Sequence, residues 1–499
     1  MDDVSLGRRL GLDNRASVLD FCVVLFGLAL CRVWIILCLS APFALAELES
    51  SDWLFLLPGG MTALVAALVA TRAADRVAFD GGFKTAVGVL AALFSAVTPV
   101  VASLQHPWLL GLFMVLGGMA SGCLQMLWGA AFARRSQLFC LYCYPATAVV
   151  TAVMVAVVLA GGELLVFCVF PLASFLLLLV ASEGSGSGSE ATKAEVPAEA
   201  ADESALPLST IVRLLISIGV FSFLCRFFDG LPAGDMVDPL AVIGGSSLFA
   251  LVVTGVGFLG FVVVAGRTFN PLIGYRVALP LMAAGMTVIA LFFAHHWYLS
   301  ILLIGMGYEL FDTLTWILLV VLAQNQRVRW APLTVFGLGT AATMLGMGVG
   351  RLAGVAVSAG LASGAWELPS VGVACVMTLV ITAFLVIPEG TFAQLAGIRI
   401  FDRGEQRPAD EDAAAEVATV AGRHPLEAAC MAVAEEYRLT PREGEVLFLL
   451  ARGRTLAIVV RDLGIAKGTA QTHMENVYHK LGVHKQQELI DLVESYVEG

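Results

Sequence analysis

Residues 17–40 read SVLDFCVVLFGLALCRVWIILCLS, a stretch in which Asp20 and Arg32 are the only charged residues. A helix needs about 20 predominantly apolar residues in a row to cross a bilayer, and this stretch is long enough. Comparable stretches follow one another up to residue 390, whereas residues 399–499 have the composition of a soluble segment. The chain of 499 residues is 59% hydrophobic and 14% charged, while soluble domains carry about 25% charged residues. The sequence therefore predicts an integral membrane protein with a soluble C-terminal part.

Twelve such stretches are present, and we predict an all-α bundle of twelve membrane helices. They lie near residues 17–40, 53–71, 84–104, 108–130, 140–161, 164–182, 209–229, 242–265, 275–294, 298–323, 333–361 and 369–388. A polar segment over 183–208 contains GSGSGS at 184–189 and then acidic residues. Because Gly/Ser-rich chains behave as flexible linkers, we interpret this segment as a linker between two six-span halves, 17–182 and 209–388.

Lys and Arg are distributed unevenly between alternate loops. If the N-terminal segment 1–16 is cytoplasmic, the cytoplasmic side contains Arg72, Arg76, Lys84, Arg134, Arg135, Lys193, Arg267, Arg276, Arg327 and Arg329. The six opposite loops contain neither Lys nor Arg, and they carry acids such as Asp52 and Glu367. Cytoplasmic loops are enriched in cations, and an even number of spans returns the chain to its starting side. We therefore expect both termini in the cytoplasm.

The two halves share short matches in the same order. Span one reads Leu-Cys-Arg at 30–32 and span seven reads the same at 224–226, while spans two and eight both begin with Gly-Gly. Such matches indicate a parallel repeat about the membrane normal. Six plus six spans with a long central loop resemble the major facilitator superfamily. The resemblance covers roughly residues 15–390, is architectural, and implies that spans one, four, seven and ten line a central cavity.

Those four spans contain charged, amide and aromatic residues at depths where charges are costly and usually functional. The candidate ligand-binding residues are Arg32, Trp34, Gln125, Trp128, Arg226, Tyr308, Glu309, Asp312 and Trp316. One interpretation is that Arg32 and Arg226 bind an anionic or phenolic small molecule through charge-assisted hydrogen bonds. The other is that the two arginines pair with the acids of span ten, Glu309 and Asp312, and fasten the halves together. Both interpretations stay open on the sequence alone.

The C-terminal part reads LTPREGEVLFLLARGRTLAIVVRDLGIAKGTAQTHMENVYHKLGVHKQQELIDLVESY over residues 439–496. Thr440 and Glu443 are spaced as a capping box, with Pro441 at the first helical position. We predict a lead-in helix over Leu426–Tyr437 within a cytoplasmic linker, 389–437, followed by four helices. The four helices are predicted from Pro441 to Gly453 and over 455–463, 467–481 and 485–496. Two short helices joined by a Gly-containing turn form a helix-turn-helix, whose second helix enters the DNA major groove.

Residues 438–499 resemble the LuxR-type (FixJ/NarL-like) DNA-binding domain along its whole length. LTPRE at 439–443, EVL at 445–447 and KLGV at 480–483 stand where that family has the same motifs. The resemblance implies that three residues face base edges, namely Gln471, Thr472 and Glu475. It implies that four others mainly contact phosphates, namely Lys467, Thr469, His473 and Lys480. The chain departs from the family pattern at Gln471, Ala466 and Ile458, where Lys, Ser and Glu are usual.

Cations and acids are equal in number from residue 438 onward. Because phosphate neutralisation supplies most nonspecific DNA affinity, we expect a single copy of the domain to bind weakly and a homodimer to bind firmly. Leu489, Leu492 and Val493 on the last helix are candidates for the dimer interface. The alternative is that they complete the core of the domain.

The combination resembles the membrane-bound twelve-span LuxR-family regulators of bacteria. It implies a one-component transcription regulator in the inner membrane, surrounded by lipid, that senses a small molecule and binds promoter DNA. The alternative is a small-molecule transporter whose tail resembles a DNA-binding domain and regulates it. We expect no enzyme, metal or cofactor, since the sequence contains no nucleophile constellation, nucleotide-binding loop or metal-ligand spacing.

Overall fold

The computed structural model describes most of the chain. The described residues are 15–39, 52–72, 76–104, 106–159, 163–183, 208–229, 231, 248–265, 271–325, 330–386, 425–451, 467–483 and 485–496. They belong to two compact units, Met1–Phe401 and Asp402–Gly499. The described residues form helices and short connections, with no strand among them, which confirms the predicted all-α class.

The first unit is built from long apolar helices. Its described helices are α1 (Arg15–Leu39), α2 (Trp53–Arg72), α3 (Arg76–Leu104), α4 (Pro107–Phe132), α5 (Gln137–Leu159), α6 (Glu163–Glu183), α7 (Leu208–Asp229), α8 (Leu248–Ala265), α9 (Pro271–Gln324), α10 (Pro332–Ala362) and α11 (Leu368–Ile381), the last followed by a π-helical turn, Thr382–Val386. Among the described residues, ten segments are long and apolar enough to cross a membrane, and two shorter apolar segments, Leu248–Val263 and Leu368–Phe384, accompany them. The chain is therefore a multi-pass membrane protein, while the count of twelve spans stays a prediction.

Helix α9 contains the predicted spans nine and ten. It is helical over 54 residues, well over twice the about 20 residues that cross a bilayer once. Its two arms nevertheless pack side by side, because a Cβ added at Gly285 would contact Ile304 and one added at Gly307 would contact Met282. The chain therefore turns back between the arms, and each arm includes one candidate span, Tyr275–Phe292 and Tyr298–Gln324.

Helix α10 is the packing centre of the membrane unit. It packs against α7 in its own half and against α2 and α4 in the other half, while α5 packs against α8. A Cβ at Gly346 or Gly350 would overlap the backbone carbonyl oxygens of Gly219 and Phe223 on α7. Small residues allow such close helix approach in membranes. The glycines of α10 therefore allow its backbone to pack directly against that of α7.

Polar contacts join the two halves near both ends of the bundle. At one end, Asp52 immediately precedes α2, and its carboxylate lies 2.9 Å from Nε of Arg351 on α10. At the other end, the amide of Gln324 on α9 donates hydrogen bonds to the carbonyl oxygens of Ala133 (3.2 Å) and Arg135 (2.7 Å). These contacts hold the two halves together at both ends of the bundle, with the space between the halves lying in the middle.

The second unit is a small helical domain with its own core. Its described helices are α12 (Pro425–Glu436), α13 (Pro441–Ala451), α14 (Lys467–Leu481) and α15 (Gln486–Ser495). The lead-in helix is confirmed, and its residue Val433 is fully buried with Val446 and Leu447 of α13. The predicted helix over 455–463 lies outside the described residues.

The last helix, α15, contributes its apolar face to this core. Leu489 and Val493 are fully buried beside Val477 of α14, and Leu492 packs against the same cluster. The alternative in which these residues complete the core is therefore confirmed. A dimer interface on Leu489 and Val493 is excluded, because their side chains are already covered within one copy.

The close approach of α10 to α7 gives a stability prediction. We expect Gly350→Ala to lower the thermal unfolding midpoint of the purified full-length protein in detergent, since overpacking costs about 1–3 kcal/mol. The matched control is Gly257→Ala on α8, because a Cβ there would meet nothing within 4 Å. Equal midpoints for the two variants would contradict the packing of α10 against α7.

Candidate functional site

A cavity of about 230 Å³ lies between the two halves of the membrane unit. Residues of α1, α2, α4 and α5 form one side, and residues of α7, α8, α9 and α10 form the other. Seven of the nine predicted ligand-binding residues line it, namely Arg32, Gln125, Arg226, Tyr308, Glu309, Asp312 and Trp316. The structure thus brings together side chains from four spans that are far apart in sequence.

Arg32 of α1 forms the central ion pair of this cavity. Its Nη2 lies 2.8 Å from Oε2 of Glu309 and 4.0 Å from Oδ2 of Asp312, both on α9. The three side chains are only 14–20% exposed, so the pair is shielded from solvent. The interpretation in which Arg32 pairs with the acids of span ten is therefore confirmed, and the pair joins the two halves.

Arg226 has a different acidic partner from the one expected. It lies in the last turn of α7, and its Nη2 is 3.7 Å from Oδ2 of Asp52. Asp52 also pairs with Arg351, so two guanidinium groups approach one carboxylate. Of the two interpretations left open by the sequence, the one that pairs both arginines with span ten is therefore wrong for Arg226, because its position at the end of α7 brings it to the start of α2.

Trp34 and Trp128 do not line the cavity, contrary to the prediction. Trp34 is fully buried and packs edge-on against Phe55 at a centroid distance of 6.4 Å. Each residue advances about 100° around a helix. Trp34, two positions after Arg32, therefore points away from the side that carries Arg32. The indole Nε1 of Trp128 donates a 3.0 Å hydrogen bond to Ser174, whose hydroxyl donates to the carbonyl oxygen of Gly27 (2.7 Å). Both tryptophans hold the first half together.

Tyr144 is a cavity residue that the sequence interpretation missed. Its hydroxyl donates a 2.6 Å hydrogen bond to Oδ2 of Asp312. Its ring stacks on Trp316 at 4.8 Å, and Cζ of Arg32 lies 5.2 Å from the ring centre. The prediction considered only spans one, four, seven and ten, whereas Tyr144 lies on span five. An intramembrane tyrosine beside Pro145 was the available signal.

In the C-terminal unit, Glu443 links the start of α13 to the end of α14. The backbone N–H of Thr440 donates to Oε2 of Glu443 (2.7 Å), and the N–H of Glu443 donates to the hydroxyl of Thr440 (3.3 Å). The predicted capping box is therefore confirmed. Nζ of Lys480 donates a 2.6 Å hydrogen bond to the same carboxylate. Lys480, predicted to contact phosphate, is thus bound to Glu443 in this structure.

The ionised form of Glu443 is strongly favoured. Burial by itself opposes ionisation of this side chain, but the hydrogen bonds from Lys480 and Thr440 outweigh that effect and lower its pKa to about 2. Because the carboxylate accepts from a cation and from a helix N-terminus, it stabilises both ends of the helix pair.

Helix α14 has a buried face and an exposed face. Val477 is fully buried and Leu481 nearly so, while five of the predicted DNA-binding residues are exposed, namely Thr469, Gln471, Thr472, Glu475 and Lys480. His473 is half-buried, and the side chain of Lys467 lies outside the described part. The Gln471 amide donates to the Glu475 carboxylate (3.1 Å), so the two polar groups share one patch.

Residues 437–493 match the family described as "Bacterial regulatory proteins, luxR family". The C-terminal domain is a LuxR-type helix-turn-helix domain. The chain is also similar to the transcriptional regulatory protein MctR of Rhizobium johnstonii (strain DSM 114642 / LMG 32736 / 3841), with 44% identity over 45 residues. That match covers 9% of this chain and 21% of MctR. The chain therefore spans about a fifth of the length of this curated relative.

Solved membrane transporters are similar to the chain at low identity. The E. coli fucose:proton symporter FucP is 13% identical, with a TM-score of 0.45 and coverage of 76% of this chain and 98% of that one. The human organic anion transporter MFSD10 (TETRAN) is 14% identical, with a TM-score of 0.45 and coverage of 74% and 98%.

The Glu443 contacts give a pH prediction for the fragment Asp402–Gly499. The folded-state pKa is lowered from 4.5 to about 2, so this stabilisation is present above pH 4.5 and is lost as the pH falls towards 2. We expect Glu443→Gln to lower the free energy of unfolding at pH 7 by roughly 1–3 kcal/mol and to flatten the acid dependence, as measured by urea denaturation. The control is Glu445→Gln, whose pair with Arg442 is exposed. An unchanged acid profile in Glu443→Gln would refute the assignment.

The Arg32 pair gives a second prediction. Arg32→Gln leaves Glu309 and Asp312 buried without their cation, and breaking a buried pair costs about 3–5 kcal/mol. We expect a clear fall in the thermal unfolding midpoint of the full-length protein and partial recovery in the double variant Arg32→Gln/Glu309→Gln. The exposed Arg213→Gln serves as the control. Absence of recovery in the double variant would argue against the pair.

Proposed function

We propose that the chain is a membrane-bound one-component transcription regulator. The observation that carries this proposal is the exposed polar face of α14 in a LuxR-type domain, within the same chain as a multi-pass membrane unit. The second helix of a helix-turn-helix lies in the DNA major groove. The membrane unit supplies a separate cavity in which a small molecule can bind.

The exposed face of α14 has the donors and acceptors that base recognition needs. Gln471 suits adenine, which offers one acceptor and one donor in the major groove, and Glu475 can accept from cytosine. In the free domain the Gln471 amide nitrogen donates a 3.1 Å hydrogen bond to a carboxylate oxygen of Glu475. DNA binding therefore exchanges an internal hydrogen bond for contacts with base edges. Thr469 and His473 lie where the family contacts phosphates, and Lys480 would have to share its ammonium group with Glu443.

The positive charge needed to bind DNA firmly is scarce in this domain. We propose that two copies bind adjacent half-sites and that ligand binding changes their pairing. The burial of Leu489 and Val493 means that another surface must form the dimer contact. The charge distribution between loops supports cytoplasmic termini and placement in the bacterial inner membrane, where the C-terminal domain can reach DNA.

The cavity supports the sensing part of the proposal. It contains charged, amide and aromatic groups from both halves, so a ligand there contacts both halves at once. A ligand shifts a conformational equilibrium only through its different affinity for the two states. Because the Arg32–Glu309 pair bridges the halves, a ligand that competes for either partner changes the energy that holds them together.

A matched pair of glutamine variants tests whether α14 recognises DNA bases. We expect Gln471→Ala to weaken operator binding by about 1–3 kcal/mol and to relax preference at one base pair, measured by footprinting and gel shift with the full-length protein. Gln487→Ala is the control, because Gln487 is also exposed and bonded to a residue four positions on, Asp491. Equal loss in both variants would contradict base reading by α14.

Deletion of residues 439–499 tests the regulator against the transporter. We expect the deletion to abolish the promoter response of the operon under control. The polar cavity also fits the alternative, a transporter with a regulatory tail. Uptake of a small molecule into proteoliposomes, together with an unchanged transcript profile after the deletion, would support that alternative and reject the regulator.

A further inference from the structure

We propose that the acidic wall of the membrane cavity binds the ammonium group of an organic ligand, with Glu309 and Asp312 accepting its hydrogen bonds. The proposal rests on the proposed function only in assuming that the cavity is the ligand site. It names the chemical class of the ligand, which the sequence analysis expected to be anionic or phenolic.

The first argument is the charge count around Arg32. One guanidinium faces two carboxylates, at 2.8 Å for Glu309 and 4.0 Å for Asp312. The hydroxyl of Tyr144 donates to Asp312 and so stabilises its ionised form. With both acids ionised, the group carries one excess negative charge in a site shielded from water. Arg226 lines the same cavity, but its guanidinium lies 3.7 Å from Asp52 and not beside these two acids. Because uncompensated buried charge is costly, a cation beside Glu309 and Asp312 is favoured and an anion there is repelled.

The second argument is the aromatic lining beside the acids. Tyr144, Tyr308 and Trp316 line the same cavity, and Tyr144 stacks on Trp316. Aromatic faces attract cations within about 6 Å of the ring centre. The Tyr144 ring already does so for Arg32, whose Cζ lies 5.2 Å away. Carboxylates and electron-rich rings around one space are the combination that recognises ammonium groups.

The remaining walls suit the apolar body of an amine. Ile301, Ile304 and Met347 line the cavity together with the polar residues. A volume of about 230 Å³ accommodates a single aromatic ring with a short side chain. Ligand pockets usually combine such apolar walls with a few polar groups that fix orientation. The structure therefore favours a small aromatic or aliphatic amine over a polyvalent or large ligand.

Ammonium binding also acts on the contact between the halves. Arg32 and Tyr144 belong to the first half, whereas Glu309 and Asp312 belong to the second. An ammonium group that donates a hydrogen bond to Glu309 weakens the pair between Glu309 and Arg32. The ligand then favours a conformation in which the contact between the two halves is changed. A sensor needs such a ligand-dependent change of conformation.

A series of three probes of similar size tests the proposal. Phenethylammonium, 2-phenylethanol and phenylacetate share a phenyl ring with a two-carbon side chain and end in a cation, a hydroxyl and an anion, respectively. We expect the full-length protein in lipid nanodiscs at pH 7 to bind phenethylammonium about tenfold or more tightly than 2-phenylethanol, and phenylacetate least tightly, by isothermal titration calorimetry. Tighter binding of phenylacetate, equal binding of the three, or no detectable phenethylammonium binding at millimolar concentration would each overturn the proposal.

Asp312→Asn tests the excess charge directly. This variant keeps an acceptor for Tyr144 and leaves Arg32 paired with Glu309, so the fold is expected to persist, as checked by the thermal unfolding midpoint. Phenethylammonium affinity should fall about tenfold or more, while 2-phenylethanol binding stays unchanged. The matched control is Glu367→Gln, because Glu367 is exposed at the start of α11. An unchanged phenethylammonium affinity in Asp312→Asn would contradict the proposal. The probe series uses the unsubstituted protein, so it tests the ligand class even if this variant does not fold.

These measurements contain no DNA and no promoter, so they separate the two proposals. Ammonium-selective binding without any promoter response would reject the regulator but keep the ligand class. A promoter response lost on deletion of residues 439–499, in a protein that does not prefer phenethylammonium, would keep the regulator and reject the ligand class.

Discussion

No water is available inside a bilayer to hydrogen-bond a backbone N–H or carbonyl group, so a chain that crosses it must satisfy these groups internally. Helices do this along their whole length, which is why the first unit consists of long helices in its described part. The hydrophobic effect cannot drive these helices together within lipid, and close packing takes its place. The approach of Gly346 and Gly350 to the backbone of α7 is the form that this packing takes.

The same lack of water governs the charged side chains. A charge within the membrane unit is stabilised by a partner of opposite sign, as Arg32 is by Glu309 between the two halves. The pairing therefore serves two purposes at once, because it makes the charges tolerable and connects the halves. A cavity next to this pair places any ligand where it can compete for the bond between the halves.

Water surrounds the C-terminal unit, so its helices pack by burying their apolar side chains. Each keeps an apolar face inward, as Val477 and Leu489 show, and leaves polar side chains on the outside. This unit also contains a buried acid, Glu443. Its carboxylate accepts hydrogen bonds from a helix N-terminus and from Lys480. This connection orients the start of α13 against the end of α14, while the outer face of α14 remains free of core packing and exposes Gln471.

The sequence by itself determined the properties that depend on neighbours along the chain. Apolar length predicted the membrane helices, the spacing of Thr440 and Glu443 predicted the helix start, and local motifs identified the LuxR-type domain. The architectural resemblance also predicted that spans one, four, seven and ten contribute to the cavity, and residues of all four line it. Only the tertiary structure decided that Tyr144 joins the cavity and that Arg226 pairs with Asp52. Those contacts depend on which faces and depths of distant helices meet, and the order of residues along one helix does not specify that.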